Sequence, residues 1–260
     1  DAQEDGFAAA LDRFSKKLWR SKRTPKKYRY DIAMLQDPAE QWPPSNKKAL
    51  KAFINAGKDL GIEVDPITRN DYARLAEYDG LAQEKLEDYA AIWLLDPPGL
   101  EPATWTRLED YVRQGRGLAV CLGRGAKPLE AFRTPAAQAV LPAVPVRQAR
   151  APQGEVYFAP GTSQHPILGE FRKFEQTVPW PFHPVLRYWQ LKDWNEQVSA
   201  VVALSDGEPA LLERSVGAGR VLTMTTPISD PLDGEPWNLL PAGEAWPFVI
   251  LVNGMASYLV

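Results

Sequence analysis

The apolar residues change period several times along the chain, and each change marks an element. Phe7, Leu11, Phe14 and Leu18 recur at helical spacing with Arg13, Lys16, Lys17 and Arg20 off that face, which predicts an amphipathic helix over residues 6 to 20. YDIAML, from Tyr30 to Leu35, predicts a strand, and IEVDPIT predicts a second. Between them, KKALKAFINAGKDLG places Leu50, Phe53, Ile54 and Leu60 on one helical face, with Ser45 positioned to cap and Gly61 to terminate. NDYARLAEYDG, with Asn70 as cap, predicts a shorter helix. YAAIWLLDPP is a near-continuous apolar run too short for a helix and stopped by prolines, so it predicts a strand buried on both faces. TWTRLEDYVRQG, closed by Gly115, predicts a helix, and GLAVCLG the strand after it.

Strand and helix alternating across short connections predict an α/β fold: a doubly wound, mostly parallel, Rossmann- or flavodoxin-like sheet with helices on both faces. Beyond Gly125 the pattern weakens to a short helix around LEAF and a stretch rich in proline and alanine with no assignable element. Regularity returns in VSAVVALSDGEPALLERSVGAGRVLTMTT, which predicts three strands joined by turns at SDGEP and VGAGR. AWPFVILVNGMASYLV predicts a C-terminal helix packed on the sheet. The expected organisation is therefore a basic helical arm and linker over residues 1 to 29, then one α/β domain over residues 30 to 260.

Composition narrows the function classes. The 260 residues can bury a full core, and with 45% hydrophobic residues, 24% charged residues and a net charge of −3 there is no bulk attraction to nucleic acid. The basic run through Lys22, Arg23, Lys26, Lys27 and Arg29 is read as a solvated face and linker, with phosphate or anionic membrane binding as the alternative. One cysteine, Cys121, excludes an internal disulfide and a cysteine-cluster zinc site, and two histidines, His165 and His183, restrict metal and acid–base chemistry. No apolar run approaches the roughly 20 residues that span a bilayer, and the first residues lack a signal-peptide pattern. The abrupt start at Asp1 and the apolar end suggest a piece of something longer.

Two resemblances meet near residues 82 to 88. Through RYDIAMLQDP, PPSNKKALKAFINAGKDLGIEV and ITRNDYARLAEYDGL, residues 6 to 81 resemble the N-terminal domain that precedes RimK-like ATP-grasp ligases. The chain then continues as AQEKLEDY where that family carries an Arg-Glu-Thr-Thr type motif, and no ATP-grasp lobe follows, so no ligase, ATP or magnesium residue is carried over. Through LEDYAAIWLLDPPGL, LEDYVRQGRGLAVCLG, QHPILGEF, PWPFHPVLRYW and SDGEPALLERSVGAGRVLTMTTPISD, residues 86 to 260 resemble the class I glutamine amidotransferase-like domain of large membrane-anchored bacterial proteins with BatA-type and von Willebrand A-like regions. That likeness implies an extracytoplasmic module beside a membrane, attached through segments outside this chain, more than it implies an activity. The meeting of two likenesses suggests a fused or engineered chain.

Candidate chemistry centres on Cys121. Class I amidotransferases present cysteine on a G-x-C-x-G elbow, where helix N-terminal amides stabilise thiolate and oxyanion. The matching stretch is Ala119-Val120-Cys121-Leu122-Gly123, with alanine for the first glycine. Where the family expects a histidine followed two residues later by glutamate on a late strand, the chain has Thr225-Thr226-Pro227. Neither His165-Pro166 nor His183-Pro184 has the expected context, so Cys121 reads first as a core residue and second as a nucleophile served by a histidine recruited through folding.

Gly115, Gly117, Gly123 and Gly125 read as turn and cap glycines, because their spacing fails the dinucleotide fingerprint. Asp37 and Asp96 each follow a predicted strand, where open α/β sheets place ligand groups. With Arg124 they form a candidate ligand crevice, against the alternative that each Asp-Pro simply starts a turn. Trp180, Phe182, Tyr188, Trp189, Trp237 and Trp246 read as core and loop anchors, or otherwise as a partner or glycan surface. The leading expectation is a non-catalytic structural or interaction module with a protein partner and no cofactor, metal or nucleic acid. The alternatives are a cysteine-dependent amidotransferase or hydrolase using Cys121, and a small-ligand or nucleotide-binding domain.

Overall fold

The computed structural model describes the strands at 30–36 and 64–68 as backbone, residue 81, and residues 85–260 apart from 162, 175–176, 229–235 and 241–245. The expected N-terminal helical arm, the helices around residues 46–60 and 70–80, and Asp37 lie outside these described residues.

Ten strands and four α-helices are described. The strands are β1 (Tyr30–Gln36), β2 (Val64–Thr68), β3 (Tyr89–Leu95), β4 (Gly117–Cys121), β5 (Val144–Arg150), β6 (Phe158–Ala159), β7 (Arg187–Lys192), β8 (Val198–Leu204), β9 (Pro209–Val216) and β10 (Gly219–Met224). The helices are α1 (Pro102–Arg113), α2 (Leu129–Phe132), α3 (Pro135–Val140) and α4 (Trp246–Leu259).

Eight strands form one sheet in the order β2-β1-β3-β4-β10-β9-β8-β6, and β5 pairs with β7 separately. β1 pairs in parallel with both β2 and β3, placing Leu35 beside Leu94, so the stretches on either side of residue 85 share one sheet. Parallel pairing continues through β4 to β10. From there β10–β9, β9–β8 and β8–β6 are antiparallel, so the sheet is mixed, with four parallel pairings followed by three antiparallel ones. The cause lies in the connections, since residues 205–208 and 217–218 make turns too short for the crossover that a parallel neighbour requires.

The central strands are apolar throughout because they are covered on both faces. Ala91, Trp93, Ala119, Cys121, Leu222 and Met224 point into a core shared with Ile250, Leu251, Met255 and Leu259 of α4. Ile92, Leu94, Leu118, Val120 and Val221 alternate with them and meet Trp105, Leu108, Tyr111 and Val112 of α1 on the opposite face. α1 begins with Pro102 in its first turn, and Thr104, Trp105, Leu108, Tyr111 and Val112 give it one buried face. It stops at Gln114, and Gly115 takes the left-handed backbone (φ 95°) that reverses the chain into β4.

The stretch with no assignable element holds α3 and β5. Thr134 caps α3 by accepting the Ala137 amide, and Pro145 sits where β5 carries a bulge opposite β7. The aromatic residues are mostly anchors: Trp180, Tyr188, Trp189 and Trp237 are buried, whereas Phe182 is 82% exposed.

The turn into β10 sets a sharp steric limit. A methyl group on Gly219 would lie 2.1 Å from the Val112 carbonyl oxygen and 2.4 Å from that of Arg116, and both are backbone atoms. Gly219→Ala is expected to lower unfolding stability by about 2 kcal/mol or more. A urea melt checks this, and an unchanged midpoint would show that the α1–β4–β10 junction is looser than described.

Candidate functional site

Cys121 ends β4 on its α4 side and is completely buried in that core. Burial, reinforced by the negative charge of Asp96, pushes the thiol pKa far above its ordinary value. Two features of an amidotransferase elbow are missing. The left-handed non-glycine residues among those described are Asp96, Asp193 and Gln197, so the strained position is at the end of β3 and not at Cys121. The helix after β4 also begins only at Leu129 and spans four residues, too late and too short to aim N-terminal amides at the sulfur.

Asp96 organises the loop that takes the elbow's place. Its backbone turns at φ 52°, its amide donates to the Cys121 carbonyl at 2.8 Å, and its Oδ1 accepts the Gly125 amide at 2.7 Å. A methyl group at Gly123 would lie 2.6 Å from Asp96 Oδ1, and one at Gly125 would lie 2.8 Å from the Asp96 carbonyl oxygen. Both glycines are therefore needed for close approach to Asp96. Trp189 reaches over from β7 and donates its indole N–H to the Gly123 carbonyl at 2.9 Å.

The threonines at the expected base position lie just beyond β10 and serve as clamps. Thr225 accepts the Trp189 amide through its carbonyl at 2.8 Å and donates its hydroxyl to the Pro209 carbonyl at 2.9 Å. Asn238 donates to Thr226 Oγ1 at 2.9 Å and to the Pro227 carbonyl at 2.6 Å. Both histidines are engaged elsewhere. His183 is buried and donates from Nδ1 to the Leu239 carbonyl at 3.3 Å. His165 accepts the Ile167 amide at Nδ1, which fixes Nε2 as the protonated nitrogen, and Nε2 donates to Glu213 at 2.9 Å.

Of the candidate crevice, Asp96 and Arg124 are placed, whereas Asp37 falls outside the described residues. β1 and β3 do end side by side where the strand order reverses, the position at which open α/β sheets bind ligands. Arg124 is exposed on the loop, and one Asp96 carboxylate oxygen is committed to Gly125. Among the described residues no group of three or more His, Cys, Asp or Glu residues is arranged to hold a metal ion, and no helix is long and apolar enough to cross a membrane.

A second polar cluster, which sequence reasoning missed, joins segments far apart in the chain. Glu213 of β9 accepts from His165 and, at 2.6 Å, from the Tyr258 hydroxyl of α4, with Arg220 of β10 at 3.9 Å. The His165 and Tyr258 rings meet edge to face at 4.7 Å. Burial on its own raises the Glu213 pKa, but the hydrogen bonds from His165 and Tyr258 and the charge of Arg220 outweigh it and hold the carboxyl below its usual value.

No family model matches the chain, and no curated protein does either. Solved structures do. A cytoplasmic protein from Salmonella typhimurium superposes with a TM-score of 0.61 at 14% identity, over 88% of this chain and 98% of that one. A second, from Salmonella typhimurium LT2, gives 0.60 at 16% identity over 88% and 98%. A ThuA-like protein from Bacteroides uniformis gives 0.59 at 15% identity over 90% and 92%. These likenesses show the fold alone: a mixed α/β domain that shares its architecture with a ThuA-like protein. None of the three is described as a BatA-type or RimK-like domain.

Two measurements check these clusters. Asp96→Ala leaves the Gly125 amide without its acceptor and is expected to cost about 1 to 3 kcal/mol in a denaturant melt; a neutral result would remove Asp96 as the brace of the loop. For Glu213, a folded-state pKa below the unfolded value means that its contribution is present above about pH 4.3 and is lost as pH falls through the lower folded value. The stability gap between the protein and Glu213→Gln should therefore narrow as pH drops from about 5 toward 3. A gap constant over that range would contradict the assignment.

Proposed function

We propose that this chain is a non-catalytic interaction module on an amidotransferase-like fold, acting through a protein partner and needing no cofactor. The observation that carries the reading is the burial of Cys121 at the end of β4, with its thiol held neutral and both histidines bonded elsewhere. A cysteine nucleophile needs a base to take its proton and an exposed sulfur to attack. Further support comes from Thr225 and Asp96, which bond backbone groups through the Pro209 carbonyl and the Gly125 amide, and from Thr226, which is buried and accepts from the Asn238 side chain. Membership of a larger, membrane-associated protein belongs to the proposal on the strength of the sequence likeness alone.

Thiol alkylation tests the reading. A buried structural cysteine should label slowly at every pH from about 6 to 9, and quickly only in denaturant, where the unfolded thiol titrates near 8.5. Rapid labelling of the folded protein that persists below about pH 7 would instead identify an activated nucleophile and overturn the proposal.

A further inference from the structure

The loop between β7 and β8 presents an aromatic side chain from a backbone that is both strained and pinned. Asp193 (φ 53°) and Gln197 (φ 62°) are left-handed at either end, a conformation costly for residues with side chains. Between them the Asn195 amide donates to the Pro142 carbonyl at 2.9 Å, and Asn195 Nδ2 donates to the Leu141 carbonyl at 2.7 Å. Arg214 fixes the same carbonyl from β9 at 2.7 Å. Trp194, held on this frame, is 46% exposed. Asp193 and Glu196, both exposed, flank it with negative charge, and Lys192 is the exposed cation on the β7 side.

The strand that leaves this loop has an open outer edge. β6 pairs with β8 only at Ala203 and Leu204, so residues 198–202 have no neighbour on that side among the described residues. The open stretch is uncharged, with Ser199 and Ala200 exposed, so it lacks the lysine or proline that usually guards a sheet edge. A bulge between Ala200 and Val202 ends the regular register, which confines a docked strand to residues 198–200.

Together these features point to a docking site for an extended, basic peptide segment of a protein partner. It would add a short strand to the open edge of β8 and lay a lysine or arginine over the Trp194 ring between Asp193 and Glu196. Backbone hydrogen bonds along the edge would supply sequence-independent affinity, and the indole and the two carboxylates would select the cation. A rigid aromatic anchor loses little entropy on binding, which suits a strained, pinned loop. This site specifies the partner of the interaction role proposed above and rests on that role.

The test uses the full chain and a fluorescein-labelled alternating Lys-Val heptapeptide, with a Glu-Val heptapeptide of the same length as comparator, both read by fluorescence anisotropy. The Lys-Val probe should bind and the Glu-Val probe should not. Trp194→Ala should weaken binding about tenfold, the Asp193→Asn, Glu196→Gln pair should weaken it severalfold, and raising the salt should reduce it further. Asparagine is chosen at 193 because it tolerates the left-handed backbone. Absence of binding, equal binding of both probes, or an unchanged affinity in Trp194→Ala would overturn the site. Concentration-dependent self-association that buries Trp194 would also overturn it, by making a second copy the occupant. A failed peptide titration beside a slow-labelling Cys121 removes this site and leaves the non-catalytic reading intact; fast labelling removes that reading itself.

Discussion

Asp96 carries the central constraint of this molecule, because its carboxylate and backbone together fix the loop that follows β4. In an amidotransferase elbow the strained residue is the nucleophile and a helix follows at once. Here the strain has moved to the neighbouring strand, where Asp96 adopts the left-handed backbone and accepts the Gly125 amide. The consequences run outward from that bond. Gly123 and Gly125 must lack side chains to make room for Asp96, the Gly123 carbonyl becomes available to Trp189, and Cys121 remains an ordinary strand residue facing α4. The same acidic neighbour disfavours a thiolate, so the brace opposes the chemistry that the position suggests.

Much of the fold was legible because the central strands obey simple rules. The apolar runs of β3 and β4 reported burial on both faces, and α1 and α4 supply those faces. The hairpins β8–β9 and β9–β10 were visible from their turn residues, and Gly207 and Gly217 do take positive φ there. What escaped was β5, β6 and β7, because short or proline-containing strands that pair with distant segments leave no local period. The antiparallel pairing of β8, β9 and β10 follows from the same short turns, which leave no room for a crossover.

The candidate site was legible in outline and misleading in detail. Cys121 and Asp96 were both singled out, and they are neighbours across the β3–β4 pair. Their relation could not be read, since nothing local shows that the Asp96 side chain turns toward the glycine loop instead of toward a ligand. The Glu213 cluster was invisible for a related reason: Glu213, Arg220 and Tyr258 lie on three separate elements and His165 on a loop, and only the packed tertiary structure brings them together. The two histidines that a catalytic reading needed are thereby accounted for, one by Glu213 and the other by the Leu239 carbonyl.

The role of Cys121 as a packing residue is tested most directly by paired substitutions followed through equilibrium unfolding. Cys121→Ala removes one buried sulfur, and Cys121→Ser keeps the shape but buries a hydroxyl in the core beneath α4. The account predicts that both variants lose stability and that serine is no better tolerated than alanine, each costing about 1 to 3 kcal/mol. A serine variant as stable as the parent would show that a polar partner waits beside position 121, and would contradict the reading of this cysteine as core.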